Sequence, residues 1–188
     1  MMYLSKGIEC KVKGKRGFFI RHYGRPIELV GEEVLVWKRG RSGFAYPKNP
    51  TEVNAVKKLV KRGLAICKNG HTEPDKYDAL CWCAIYANPR YKFDIRSSNK
   101  PEKRILTWLR KAEQNLSFSE LVCLEDKGIE PNPNLLSRKN SSRLMKIIYP
   151  ELISMAGDLE VRMKHSPVRK QTVDAVMKLL RRKRVIIM

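Results

Sequence analysis

Between Leu116 and Tyr149 the chain reads LSFSELVCLEDKGIEPNPNLLSRKNSSRLMKIIY, and here the helix signals leave the least freedom. Ser117 is followed three residues on by Glu120. In that pairing each side chain satisfies the other's backbone N–H at a helix start. Leu116 and Leu121 are spaced to close a hydrophobic staple around the cap, and Phe118, Leu121 and Val122 fall on one face. Lys127 and Gly128 supply the stop, a cation near the last turn and a residue at ease in the left-handed conformation. A second helix is predicted to open with Asn132 as N-cap and Pro133 at the first helical position. It runs as one piece over 134–148, with Leu135, Leu136, Leu144, Ile147 and Ile148 as its apolar stripe, and Tyr149-Pro150 ends it.

The polar face of that second helix is SRKNSSR followed by Lys146. Ser137, Arg138, Lys139, Asn140, Ser141, Arg143 and Lys146 are candidate binding residues, with no acidic residue between Asn132 and Tyr149. Such side chains donate to phosphates and to base edges. An ordinary solvated helix face has the same composition, so both readings stand at this point.

Charge narrows the class of partner. The chain of 188 residues carries a formal net charge of +20, and the excess is spread: residues 1–100 hold 21 Lys/Arg against 9 Asp/Glu, and residues 101–188 hold 18 against 10. A basic tail on a neutral domain is therefore excluded. An excess of this size repels itself unless a polyanion offsets it, and nucleic acid is the polyanion expected. An anionic membrane is disfavoured, since no long basic helix shows a continuous, strongly hydrophobic face. With 43% apolar residues the chain can bury a core, as one compact domain or two small ones.

The five cysteines are odd in number and form no C-x-x-C, and the three histidines lie far apart. Zinc spacing is absent, so no metal and no cofactor is expected. Free thiols, with no signal peptide and no membrane-length apolar run, point to the cytoplasm.

In chain order, residues 1–46 read as β-rich. Strands are predicted over Ile8–Val12, Phe18–Tyr23 and Ile27–Leu29, split by the KGKRG turn and by Gly24-Arg25-Pro26. In GEEVLVWKRG the early glutamates and late cations complement a helix dipole, so a helix is preferred there to a strand. Asn49-Pro50 opens a helix with Val53, Val56, Leu59 and Val60 inside and Lys57 and Lys61 outside, stopped by Gly63. Leu64–Cys67 reads as a strand and Lys68-Asn69-Gly70 as a hairpin-type turn. HTEPDKYD is expected to be a loop; the apolar run Ala79–Ala87 fits either a buried helix or a strand. Tyr91–Ile95 alternates like a strand, and residues 96–100 have linker composition, which divides the chain into 1–96 and 101–188.

The second half opens on a helix bearing Ile105, Leu106, Trp108, Leu109 and Ala112. After the capped pair, Glu151–Ala156 reads as a helical turn or two. Leu159, Val161 and Met163 alternate with charged residues and predict a strand over 159–164. A last helix after Ser166-Pro167 carries Val168, Val173, Val176, Met177 and Leu180 inside. Its outer cations Arg169, Lys170, Arg181 and Arg182 are further binding candidates, and Val185–Ile187 forms a terminal strand.

Three helices, the second and third closely coupled, followed by strand-like segments: this order resembles winged helix-turn-helix DNA-binding proteins. The likeness covers about 101–164, with a fainter echo over 31–93. It implies an α+β fold of two small winged-helix-like domains with a helix-rich C-terminal half. It also implies that the 134–148 helix enters the major groove through Arg138, Lys139, Asn140, Ser141 and Arg143. Winged-helix proteins often dimerise, and the last helix would be available as such an interface.

The expected function is therefore non-enzymatic: a sequence-reading DNA-binding regulator or mobile-element accessory factor, with duplex DNA favoured over RNA and no catalytic residue. An RNA- or ribosome-associated binder is the alternative, with Tyr77, Tyr86, Tyr91 and Phe93 as stacking candidates. A metal-dependent nuclease is a third reading, resting on the E-x-K form of Glu9-Cys10-Lys11. That pattern needs an acidic partner, and none precedes Glu9.

Overall fold

The computed structural model describes residues 1–91, 100–112, 115–150 and 156–188. It is an α+β fold with a helix-rich C-terminal half. The chain divides into two compact units, Met1–Cys83 with Ile186–Met188, and Ala84–Val185.

The first unit begins with strand β1 (Met2–Ser5), which the sequence reading did not anticipate. All four of its residues are buried, so the polar–apolar alternation that marks a half-exposed strand is missing. Strands β2 (Ile8–Cys10), β3 (Phe18–His22) and β4 (Arg25–Leu29) form an antiparallel meander in which Ile20 faces Glu9 on one side and Ile27 on the other. His22 pairs with Arg25, so the β3–β4 turn has only two residues, Tyr23 (φ 44°) and Gly24 (φ 80°). Both lie in the left-handed region, as a tight hairpin turn of matching twist requires.

Helix α1 (Glu32–Gly40) is the expected helix, with Glu32 and Glu33 in its first turn and Lys38 and Arg39 in its last. Helix α2 (Pro50–Lys61) starts as predicted: Asn49 Oδ1 accepts from Glu52 N–H at 2.8 Å, and Pro50 follows. Strand β5 (Ala65–Lys68) pairs antiparallel with β1, Leu4 opposite Ile66. The residues after it therefore close no hairpin. They lead into helix α3 (Glu73–Cys81), where a loop was expected. Its start is a capping box of Thr72 and Asp75 with Pro74 in the first turn, a local signal that the polar composition of HTEPDKYD masked. The ambiguous apolar run resolves into the end of α3 and strand β6 (Ile85–Ala87).

The first-unit core gathers Tyr3, Ile20, Leu29, Val36, Trp37, Val56, Leu59 and Leu64. Each such side chain taken out of water contributes about 1.5–3 kcal/mol. Trp37 and Tyr3 have their polar ends satisfied: Trp37 Nε1 donates to the Lys6 carbonyl at 2.8 Å, and Tyr3 Oη to the Val36 carbonyl at 3.1 Å.

The second unit is built on α4 (Lys100–Lys111), α5 (Phe118–Asp126) and α9 (Arg169–Arg181). Helix α5 carries the predicted capping box in full, with Leu116 and Leu121 both buried. It ends on Gly128 at φ 62°, where Ile129 N–H returns to the Leu124 carbonyl at 2.9 Å. Arg104 ties α4 to α5 through the buried Glu125. Ser166 Oγ donates to Asp126 Oδ1 at 2.7 Å, which fixes the approach to α9. The chain closes with strand β7 (Val185–Ile187), as expected.

Two expectations in this half are corrected. The helix predicted as one piece over 134–148 is three: α6 (Pro133–Leu136), a 3-10 turn (Arg138–Asn140) and α7 (Ser141–Ile148). Ser137 makes the break. Its backbone is extended (φ −71°, ψ 137°) and its Oγ accepts from Lys139 N–H at 3.3 Å, a local bond that competes with the helix ladder. Asn132 caps α6 with its carbonyl rather than its side chain, whose Nδ2 turns back to the Glu130 carbonyl.

The strand predicted over 159–164 is helix α8 (Ala156–Met163). Leu159 and Met163 are buried four residues apart, while Val161, the third member of the supposed alternation, is 65% exposed. Four-residue spacing belongs to a helix face. The strand expected over Tyr91–Ile95 falls, beyond Tyr91, outside the described residues. So do residues 96–99 of the linker and 151–155 of the helical turn.

Candidate nucleic-acid interface

The 3-10 turn and α7 carry the expected basic surface. Arg138, Lys139, Arg143 and Lys146 are exposed, and Asn140 and Ser141 are half-buried. Along α7, Arg143 and Lys146 are three apart and share one side, while Leu144 and Ile148, four apart, are fully buried on the other. Ser137 is half-buried, and its hydroxyl is engaged by the Lys139 amide. Among the described residues, no acidic side chain pairs with Lys139, Arg143 or Lys146.

The base of this surface is anchored to α5. The Tyr149 hydroxyl donates to Glu120 Oε1 at 2.9 Å, and the Lys127 ammonium donates to the Ile147 carbonyl. Burial, and then the Glu120 charge beside it, hold the Tyr149 hydroxyl well above its ordinary range, so it stays a donor.

The cations expected on α9 are occupied in other ways. Arg182 reaches Glu102 Oε2 at 2.7 Å, and Lys178 approaches the same carboxylate at 4.0 Å. Glu102 is 1% exposed, so Arg182 offsets a buried charge before it can serve any partner. Arg169 donates to the Lys164 carbonyl, Arg181 Nε to the Met177 carbonyl, and Lys170 pairs with Asp174 one turn on. In the first unit Lys57 and Lys61 project from α2 into solvent.

The structure also displays cations that the sequence reading did not select. Lys11, Lys13, Lys15, Arg16, Arg21 and Arg25 are all exposed on the β2–β3–β4 meander, the first four in the loop at one end and Arg21 and Arg25 beside Tyr23 at the other. The run KVKGKRG carries both signals at once, glycines for the turn and four cations for the charge. Of the aromatics proposed for stacking, Tyr77 is buried, Tyr86 is half-buried and Tyr91 is exposed; Phe93 lies outside the described residues.

All five cysteines are free thiols. Burial pushes Cys83 up to about 11 and raises Cys123, so neither is ionised at neutral pH. Glu9 of the E-x-K pattern is held by Arg41 at 3.0 Å. Among the described residues no group of three or more His, Cys, Asp or Glu could hold a metal, and no helix is long and apolar enough to cross a membrane. No protein-family model, curated protein or solved structure matches the chain.

Proposed function

We propose that this protein binds nucleic acid without catalysing a reaction, as a sequence-reading DNA-binding regulator or mobile-element accessory factor acting in the cytoplasm. The supporting observation is the surface of the 3-10 turn and α7. It sets Lys139, Arg143 and Lys146 in solvent on an acid-free stretch, backed by buried Leu144 and Ile148. Lysine and arginine there neutralise phosphates and release counterions, which gives affinity without sequence preference. Asn140 and Arg143 are the side chains suited to base edges, and they supply discrimination. A free-thiol complement suits a reducing compartment.

The test is a salt-titrated binding assay against a random duplex pool, followed by sequencing of what is retained. A steep fall of affinity with salt and an enriched motif are expected. Asn140→Ala should broaden that motif more than it weakens binding to random duplex. Retention without enrichment would reduce the reading to non-specific phosphate contact. Competition by structured RNA of equal length separates the RNA-binding alternative: preferential displacement by RNA would favour it.

A further inference from the structure

We propose that the β2–β3–β4 meander is a second nucleic-acid contact, one that takes unpaired nucleotides by stacking a base on Tyr23 at one end of the ribbon while Arg21 and Arg25 beside it, and the cations of the β2–β3 loop at the other end, hold the phosphates. It uses first-unit residues alone and does not depend on the helix-face reading above.

Tyr23 is the starting point. It occupies the first position of a two-residue turn at φ 44°, where asparagine or glycine is at ease and a bulky side chain is strained. Packing returns little for that strain. The residue is 67% exposed, and its ring contact is with His22 at 4.4 Å between centroids. An aromatic that is both conformationally disfavoured and left in water is poorly explained by stability. It is well placed to be covered by a flat partner.

The charge along the ribbon says what that partner carries. Residues 8–29 hold six Lys/Arg against two Glu, and all six cations are exposed. Arg21 and Arg25 lie next to Tyr23, while Lys11, Lys13, Lys15 and Arg16 lie in the β2–β3 loop at the opposite end of β3, roughly 13 Å along the strand. Among the described residues none of the six is ion-paired, and one of the two acids, Glu9, is already taken by Arg41. Lys13 and Lys15 flank Gly14 in a tight turn in which Lys15 N–H returns to the Val12 carbonyl at 3.2 Å. Arg25 lies opposite His22 and Arg21 opposite Pro26, so positive charge stands on both faces of the ribbon just behind Tyr23.

A phosphate chain with free bases matches both features at once. In a duplex the bases are already stacked on one another, so an exposed ring gains little; in a single strand each base has a free face. An acidic peptide would use the cations but would have no need of the ring.

The experiment uses the full chain and fluorescence anisotropy with a labelled oligodeoxythymidylate and a duplex of the same length. Tyr23→Asn suits the turn, so it should melt no lower than the wild type. It should nevertheless bind the single strand about tenfold more weakly, the size of one lost stacking contact. Its duplex affinity should be unchanged. Tyr23→Phe keeps the ring and should bind as the wild type does. Replacing Lys13, Lys15 and Arg16 together by Gln should flatten the slope of log K against log salt by about 2 for the single strand. Wild-type single-strand affinity in Tyr23→Asn would overturn the proposal, as would Tyr23→Phe weakening binding as much. Polyglutamate displacing the oligonucleotide equally from wild type and Tyr23→Asn would overturn it in favour of an acidic-surface contact. Lys139→Gln with Arg143→Gln should lower duplex binding and leave the Tyr23 effect intact, so failure of either reading is seen separately.

Discussion

The Tyr149 hydroxyl donates to Glu120 Oε1 across 2.9 Å, which bonds the end of the basic helix α7 to the first turn of α5. The other oxygen of the same carboxylate accepts from Ser117 N–H at 2.6 Å. One glutamate thus caps its own helix and holds the end of α7 in place. Tyr149→Phe removes only the Tyr149–Glu120 bond. It should lower second-unit stability by about 2 kcal/mol, the usual worth of a hydrogen bond to a charged group. Denaturant unfolding monitored by circular dichroism checks this.

Glu52 makes the first unit sensitive to acid. Hydrogen bonds from Arg39, and then from the Lys48 backbone, hold its carboxyl at about 2, against an ordinary value of 4.5. A depressed carboxyl stabilises the fold fully above its unfolded value and ceases to do so as pH falls through its folded one. The stability difference between wild type and Glu52→Gln should therefore be complete at neutral pH. It should narrow between pH about 4.5 and about 2. A difference independent of pH across that window would show that the carboxylate charge is not what matters.

Residue 161 distinguishes a helix from a strand at α8. With Val161 in solvent and Leu159 fully buried, Val161→Glu should change stability by less than about 0.5 kcal/mol. Leu159→Ala should cost about 3 kcal/mol. Were the segment a strand with 159, 161 and 163 on one buried face, both would be severe. Thermal melts of the two variants decide it.

Two arginines should respond in opposite ways. Arg182→Gln leaves buried Glu102 without its close partner. It should lower stability by about 2 kcal/mol while changing duplex affinity little. Arg143→Gln should leave the melting temperature unchanged and reduce the salt slope of duplex binding by about 1. Equal effects of the two on binding would return the α9 cations to the interface.

What the sequence determined by itself was whatever depends on residues within a turn of one another. The Asn49 and Ser117 caps and the Gly128 stop were readable because donor and acceptor lie three to five residues apart. Net charge needs no structure at all. Tertiary structure decided the rest. Pairing of β1 (Met2–Ser5) with β5 (Ala65–Lys68) joins segments far apart in the sequence, and no local pattern announces it. Leu159, Val161 and Met163 satisfy a period of two, yet packing selected the four-residue spacing of Leu159 and Met163. Ser137 interrupted a helix whose apolar stripe continued through it. Above all, Arg143 and Arg182 are alike in sequence, each a cation on an amphipathic helix. Only folding brought the buried Glu102 within reach of one of them, because an ion pair is a property of positions in space, and charges distant along the chain give no sign of it beforehand.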